Sequence, residues 1–285
     1  MKILYANVED VMREAAARWT LVAYFFLSSV FILIFASAIN LDIVDGALAG
    51  AKLFGRTVPM HGDTSMSIDK IVLGFESGFS AFLYVLCTFL AIFATAHLVP
   101  RMQEKGTIDL YLSRPVSRTK LILSRYLAGL ILAGSNVLYL LGSIWLIVIW
   151  KTHIVHPRFF AGGAVILFVI ATLLAFAFLV GVITSSTAVS IMATYGLFLF
   201  SAMLVGHDRI AAALSHEWQA VLINSLYWIV PKTTELGGAV VAFVSGGQAP
   251  ERVAATLSWS PFLTTGGFAV GCLVLACWLF QRKEF

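Results

Sequence analysis

Six apolar runs of about 20 residues or more dominate this sequence of 285 residues. They cover residues 19–39, 76–99, 122–150, 160–184, 188–206 and 262–281. A helix needs about 20 apolar residues to cross the hydrocarbon core of a bilayer. Soluble domains are about 25% charged, whereas this chain is 12% charged and 60% hydrophobic. The sequence therefore predicts an all-α membrane protein with six transmembrane helices.

The distribution of Lys and Arg predicts how the six spans are oriented. If the N-terminus is inside, eleven of the 19 basic residues fall in inside segments that together hold about 50 residues. The other eight are spread over about 100 residues outside. Because Lys and Arg accumulate in cytoplasmic segments, we predict that both termini and the loop 100–120 are cytoplasmic.

Residues 1–18 have a helical pattern of their own. The apolar positions are Leu4, Val8, Val11, Met12, Ala15 and Trp19. This spacing places them on one face of a helix, with charged side chains on the other. Such a helix lies along the membrane surface, so we predict an amphipathic helix before the first span. An unstructured cytosolic tail is the alternative.

The segment 207–260 connects the fifth and sixth runs. It contains two apolar stretches, 218–231 and 236–247. Stretches of 10–14 apolar residues are more typical of re-entrant or interfacial segments than of spans. We therefore predict two short helices in the outer leaflet, and a seventh and eighth span are the alternative.

Motifs for catalysis or cofactor binding are missing from the sequence. It contains no G-x-x-x-x-G-K-[ST] phosphate loop, no H-E-x-x-H and no G-x-S-x-G. Binding of nucleic acid would require a basic face or stripe, which the chain does not have. We predict that the chain is not an enzyme and binds no metal, cofactor or nucleic acid directly.

A few titratable residues are weaker candidates for a site. His153 and His156 are three residues apart and could share a metal ion. A second group in the segment 207–260 could gather around a cation: His207, Asp208, His216 and Glu217. We interpret both groups as ordinary loop residues. Glu76 begins the second run, and we interpret it as a carboxylate that reaches water rather than as a functional group inside the membrane.

The connection between the second and third runs concentrates charge and a regular apolar pattern. Ile108, Tyr111 and Leu112 form one face of a helix. Pro115 ends that helix, and Ser117 is placed to cap the next one. A short amphipathic helix of this kind fits a groove on a partner protein.

The same stretch resembles a segment of the ABC-2 type transporter permeases. EKGTIDLYLSRPVSR, residues 104–118, is similar to E-x-G-T-[LI]-[ED]-x-L-L-[ST]-x-P-[VI]-[ST]-R. The residues that match are Glu104, Gly106, Thr107, Asp109, Leu112, Pro115 and Arg118. Tyr111 replaces the more usual Leu. The C-terminal FQRKEF also resembles the family's F-x-R-[RK]-[DE]-[FL] ending.

The resemblance implies a function for the whole chain, residues 1–285, as a single permease domain. It would be the transmembrane subunit of an ATP-binding cassette (ABC) exporter in a bacterial inner (plasma) membrane. The segment 1–18 would be its interface helix. A second copy or a homologous permease would pair with it, and two separate ATPase subunits would bind ATP and Mg.

The resemblance also assigns a role to the loop 100–120. It would carry a coupling helix that docks in a cleft of the ATPase. The docking residues would be Glu104, Gly106, Thr107, Ile108, Asp109, Tyr111, Leu112, Arg114, Pro115 and Arg118.

Two other functions stay open on the sequence. A complex of the same family could serve the maturation or assembly of periplasmic enzymes instead of bulk export. An intramembrane enzyme would need paired polar residues at one depth within the spans, and we find no such pair.

Overall fold

The computed structural model of the protein is a bundle of long helices that pack side by side. It describes residues 9, 19–44, 47–53, 56–57, 68–104, 106, 117–153, 155–207, 217–246 and 258–283. The helices are α1 (Trp19–Ala38), α2 (Ile68–Thr95), α3 (Leu98–Met102), α4 (Arg118–Thr152), α5 (Phe159–Thr184), α6 (Thr187–Leu204), α7 (Glu217–Ile229), α8 (Thr233–Ser245) and α9 (Trp259–Arg282). The predicted helical membrane class is confirmed at this level.

Five helical segments among the described residues are long and apolar enough to cross a membrane. They are Glu76–Met102, Arg118–Thr152, Phe159–Thr184, Thr187–Leu204 and Trp259–Arg282, and they coincide with the second to sixth predicted spans. The first predicted span lies in α1, where the described apolar stretch Val22–Ser37 is shorter, so that span stays a prediction. The predicted surface helix over 1–18 lies outside the described residues, except that Glu9 is helical and exposed.

A small antiparallel sheet follows α1, and the sequence analysis did not predict it. Its strands are β1 (Ile39–Val44), β2 (Ala47–Leu53) and β3 (Arg56–Thr57), in the order β1-β2-β3. Ile39 pairs with Leu53 and Val44 pairs with Ala47. The sequence of β2, ALAGAKL, has no β-branched or aromatic residue, so the usual composition signal for a strand is missing.

Helix α5 lies at the centre of the bundle. It packs against α2, α4, α6, α8 and α9. Its sequence is apolar on all sides, which is typical of a helix surrounded by other helices. Small residues let its neighbours approach closely. At Gly162, for example, an added Cβ would lie 3.1 Å from methyl groups of Val240 and Val244 in α8.

The two predicted short helices, α7 and α8, are present between α6 and α9. Each has 13 residues, too few to cross a membrane, which argues against a seventh and eighth span. The elbow between them, Val230–Thr233, is buried. Hydroxyl groups from three neighbouring helices bind its backbone: Ser201 Oγ donates to Pro231 O (2.7 Å), Thr265 Oγ1 accepts from Lys232 N (3.0 Å) and Tyr84 Oη donates to Thr233 O (2.6 Å).

Helix α1 is attached to α4 by polar contacts as well as by apolar packing. Ser28 Oγ donates to Asn136 Oδ1 (3.0 Å), and both side chains are fully buried. Near the C-terminal ends of both helices, Lys151 Nζ donates to Ala36 O (2.7 Å). The two contacts fix α1 along the length of α4.

A break between α2 and α3 precedes the loop 100–120. Ala96 and His97 form a turn, and Pro100 cannot donate the helical hydrogen bond to the carbonyl of Ala96. Arg125 of α4 is buried, with 2% of its surface exposed, and its Nη1 donates to Leu98 O (3.1 Å). The start of α4 is thereby attached to α3.

The close approach of α8 to α2 predicts the effect of a larger residue. A Cβ at Gly237 would lie 2.9 Å from Cε1 of Tyr84, whose hydroxyl binds Thr233 O. We expect Gly237→Leu to displace this ring and to lower the melting temperature of the purified protein, at a cost of about 1–3 kcal/mol. Gly196→Leu in α6 is the control, because an added Cβ there meets nothing within 4 Å. Equal melting temperatures for the two variants would contradict this account of the α2–α8 contact.

Candidate functional site

The predicted docking loop joins α3 to α4. The structure describes three of its ten predicted residues, namely Glu104, Gly106 and Arg118. The other seven lie outside the described residues: Thr107, Ile108, Asp109, Tyr111, Leu112, Arg114 and Pro115. Glu104 and Gly106 are exposed. Gly106 has a φ of +86°, a left-handed conformation that glycine adopts without a steric penalty.

The residues before the loop, at the end of α3, form its near flank, and the first residues of α4 form its far flank. The near flank is bound to the end of α5 through Gln103. Gln103 Nε2 donates to Gly181 O (2.9 Å), and its Oε1 accepts from Ser185 Oγ (2.9 Å). Ser185 caps α5 with a φ of +52° and donates its own N–H to Gly181 O. One amide side chain therefore binds both the last turn of α5 and the residue that caps it.

The far flank of the loop is bound to the end of α9 through Arg118, the first residue of α4. Its Nη1 lies 3.3 Å from Phe280 O, 3.2 Å from Gln281 O and 2.6 Å from Lys283 O. A cation is favourable at a helix C-terminus because the last carbonyl groups carry partial negative charge. Gln281 Nε2 also donates to Thr119 Oγ1 (2.6 Å). The predicted cap by Ser117 is confirmed, since its Oγ accepts from Lys120 N.

These contacts form one group of residues, which we call the loop-flank cluster: Gln103, Arg118, Thr119, Ser185, Gln281 and Lys283. Lys283 joins its two halves, because its side chain contacts Gln103 and its carbonyl accepts from Arg118. The cluster brings the loop, the turn between α5 and α6 and the end of α9 to the same end of the bundle. The loop and the C-terminus are predicted above to be cytoplasmic, and their side of the membrane stays a prediction.

The sequence analysis missed most of this cluster. Among the ten predicted residues only Arg118 belongs to it, where it binds the end of the protein's own α9. The similarity of FQRKEF to a family ending was a usable signal, since Gln281 and Lys283 belong to it. Gln103 has no comparable signal, because its partners are 78, 82 and 180 positions away.

The structure places one of the two candidate histidines, His156, against Glu76 and gives Glu76 a different role. His153 is exposed at the end of α4. His156 Nδ1 lies 3.0 Å from Glu76 Oε2, and Glu76 is 3% exposed. Our interpretation of Glu76 as a carboxylate that reaches water is therefore wrong. It is a buried partner that ties α2 to the connection between α4 and α5.

The second group of titratable residues is described only in part. His207 stacks on the ring of Tyr227, with centroids 3.7 Å apart. Asp208 and His216 lie outside the described residues, as does the side chain of Glu217. Within the part of the chain that the structure describes, no three His, Cys, Asp or Glu side chains are grouped to hold a metal ion.

Comparison with known proteins gives a match over nearly the whole chain. The sequence profile of a family described as ABC-2 family transporter protein matches residues 6–285. No match was found among the curated proteins.

The Arg118 contacts predict that the end of α9 depends on the first turn of α4. We expect Arg118→Gln to speed hydrogen exchange at the Lys283 amide, which donates to Leu279 O, by about tenfold or more, because charged hydrogen bonds are lost. Mass spectrometry of peptides covering 278–283 measures this effect. Lys120→Gln is the control, because the Lys120 side chain is exposed. An unchanged rate in Arg118→Gln would show that α9 ends independently of α4.

The Glu76–His156 contact predicts a stability effect. We expect His156→Ala to lower the melting temperature, at a cost of about 1–3 kcal/mol, because the buried carboxyl group loses its partner. His153→Asn should have little effect, since His153 is exposed and Asn tolerates its left-handed conformation. Adding Glu76→Leu to His156→Ala should restore part of the loss. No recovery in this double variant would contradict the pairing.

Proposed function

This chain belongs to the ABC-2 family of transporter proteins, and on that premise we propose that it is the permease subunit of an ATP-driven exporter. Family membership makes it a transmembrane component of an ABC transporter. The sequence has no phosphate loop of its own. We therefore assign ATP and Mg binding to a separate ATPase subunit, which docks on the loop between α3 and α4.

The observation that best supports this docking role is the attachment of both loop flanks to helix ends. Gln103 holds the near flank to α5, and Arg118 holds the far flank to α9. Arg118 is also the first residue of α4. A partner that displaces the loop therefore pulls on three long helices, which is the mechanical property that a coupling element needs.

The exposed faces of the bundle support a complex with lipid and with a second permease. Within the apolar windows of the spans, only 17% of α9 and 28% of α6 are buried. Large apolar side chains such as Met192, Met203, Leu263 and Val274 are exposed on these helices. We propose that two permeases and two ATPase subunits form the complex, in a bacterial inner membrane with both termini cytoplasmic.

The loop residues that would enter the ATPase cleft provide the test. We expect Asp109→Lys combined with Leu112→Asp to reduce the amount of candidate ATPase subunit that co-elutes with the purified permease by about tenfold or more. His153→Asp is the matched control, because it alters charge at the opposite end of α4. Membrane insertion is checked for each variant by its yield in the membrane fraction.

Two results would contradict the proposal. Equal co-elution of the loop variant and the control would show that the loop is not the dock. Absence of a complex with the unaltered chain, for every ATPase candidate tested, would remove the ATP-driven function itself.

A further inference from the structure

A groove in the surface of the bundle lies at the end opposite the loop-flank cluster. The first turns of α5, the end of α8 and the first turns of α9 form it, and its volume is about 550 Å³. This volume is within the range of cavities that hold small ligands. We call it the α5–α9 groove, and it is defined by Ala161, Ala164, Phe168, Phe243, Trp259 and Phe262.

The groove is shallow in side chains along α5 and closed at its deep end. Ala161, Ala164 and Phe168 have helical spacing and share one face of α5, and both alanines are exposed. At the deep end, the rings of Phe168 and Phe262 have centroids 5.8 Å apart. One turn further along α9, a Cβ added at Gly266 would lie 3.6 Å from Cζ of Phe168. The groove therefore ends near Phe168 and does not follow the helices over their full length.

The depth of the groove corresponds to one leaflet of a bilayer. Phe168 follows Arg158, the residue before α5, by ten positions. Ten residues of helix span about 15 Å, which is half of a hydrocarbon core of about 30 Å. A transmembrane helix of a partner would pack along the whole core, whereas the acyl chain of a lipid fills one leaflet.

A cation lies at the mouth of the groove. Arg158 is three residues before Ala161, and its guanidinium lies against Gly246, which caps α8 three residues after Phe243. The negative end of the α8 dipole favours a cation at this position. The Arg158 side chain is exposed, and among the described residues no carboxylate is paired with it. A guanidinium can donate two parallel hydrogen bonds to a phosphate group.

Tryptophans at the same end of the bundle indicate the level of the lipid headgroups. Trp259 forms one wall of the groove and is 80% exposed, as is Trp150 near the end of α4. Tryptophan is enriched at the interface between membrane and water. Ser258 adds a hydroxyl group to the groove at this level. The groove is thus polar at the interface and apolar below it, which is the polarity profile of a phospholipid.

We propose that the α5–α9 groove binds one acyl chain of a phospholipid, with the phosphate of that lipid at Arg158. The chain would cover the exposed alanines and the aromatic rings of the groove, and the guanidinium would bind the headgroup that the chain carries. This site is independent of the docking role of the loop, which lies at the other end of the bundle.

The test measures lipid binding to the full chain, purified in a mild detergent and free of added lipid. Palmitoyl-oleoyl phosphatidylglycerol is titrated into the protein, and native mass spectrometry gives the affinity for the first bound molecule. We expect Arg158→Gln to weaken this affinity about tenfold or more, because charge-assisted hydrogen bonds to the phosphate are lost. Ala164→Phe should weaken it by a similar factor, because the added ring occupies the space of the acyl chain.

Two matched variants serve as controls. Lys120→Gln removes an exposed cation at the opposite end of the bundle, and Ala202→Phe adds a ring at an exposed alanine of α6, outside the groove. Both should bind the lipid as the unaltered chain does. Ala161→Phe, at the other exposed alanine of the groove, replaces Ala164→Phe in the test if that variant does not fold.

Each of four results would overturn the proposal. Equal affinity in all variants would show that the lipid binds without a defined site. A loss in Arg158→Gln alone would mean that the cation binds headgroups without the groove. A loss in the groove variant alone would mean that the groove takes an apolar molecule without a phosphate. A change of oligomeric state in the groove variant, with lipid binding unchanged, would show that the groove is a contact between copies of the chain.

Discussion

The main-chain polar groups of a membrane protein must find partners within the protein, because the hydrocarbon layer offers none. Most of this chain meets the requirement with long helices. The elbow Val230–Thr233 is an exception, since Val230, Pro231 and Lys232 are not helical and yet are buried. Hydroxyl groups of Ser201, Thr265 and Tyr84 bind main-chain groups of this elbow. The position of α7 and α8 within the bundle depends on these three side chains from three different helices.

The same requirement governs the helix ends at the loop-bearing end of the bundle. The last carbonyl groups of α5 accept from Gln103 and Lys283, and those of α9 accept from Arg118. Helix association in lipid gains little from the hydrophobic effect and relies on close packing and on polar contacts. Capping side chains that come from a different segment therefore do two things at once, because they satisfy one helix end and attach it to another element.

Much of the helical architecture could be predicted from the sequence, because span length and composition are local properties. Five spans, the two short helices and the cap at Ser117 follow from runs of residues and from their immediate neighbours. The sheet after α1 could not be predicted, since β2 lacks the residues that favour strands. The residues of the Glu76–His156 contact are 80 positions apart in the sequence, and those of the Lys283 contacts are up to 180 positions apart. The hydrophobic periodicity of a single segment contains no information about which distant segments contact each other. The docking role of the loop was predicted from its amphipathic pattern and from the family resemblance, and Arg118, the one predicted docking residue whose side-chain contacts are described, binds the end of the chain's own last helix.

The length of α4 has a geometric consequence. Its 35 residues correspond to about 52 Å at a rise of about 1.5 Å per residue, whereas the hydrocarbon core is about 30 Å thick. An upright α4 would thus extend beyond the core by about 22 Å in total. Arg118, at its N-terminal tip, follows the loop and binds the end of α9. A rigid rod of this length amplifies rotation: turning it by about 10° around its midpoint shifts each tip by about 4–5 Å. Helix α4 is in this sense a lever, and a small tilt of the helix within the bilayer becomes a displacement of several ångströms at the loop.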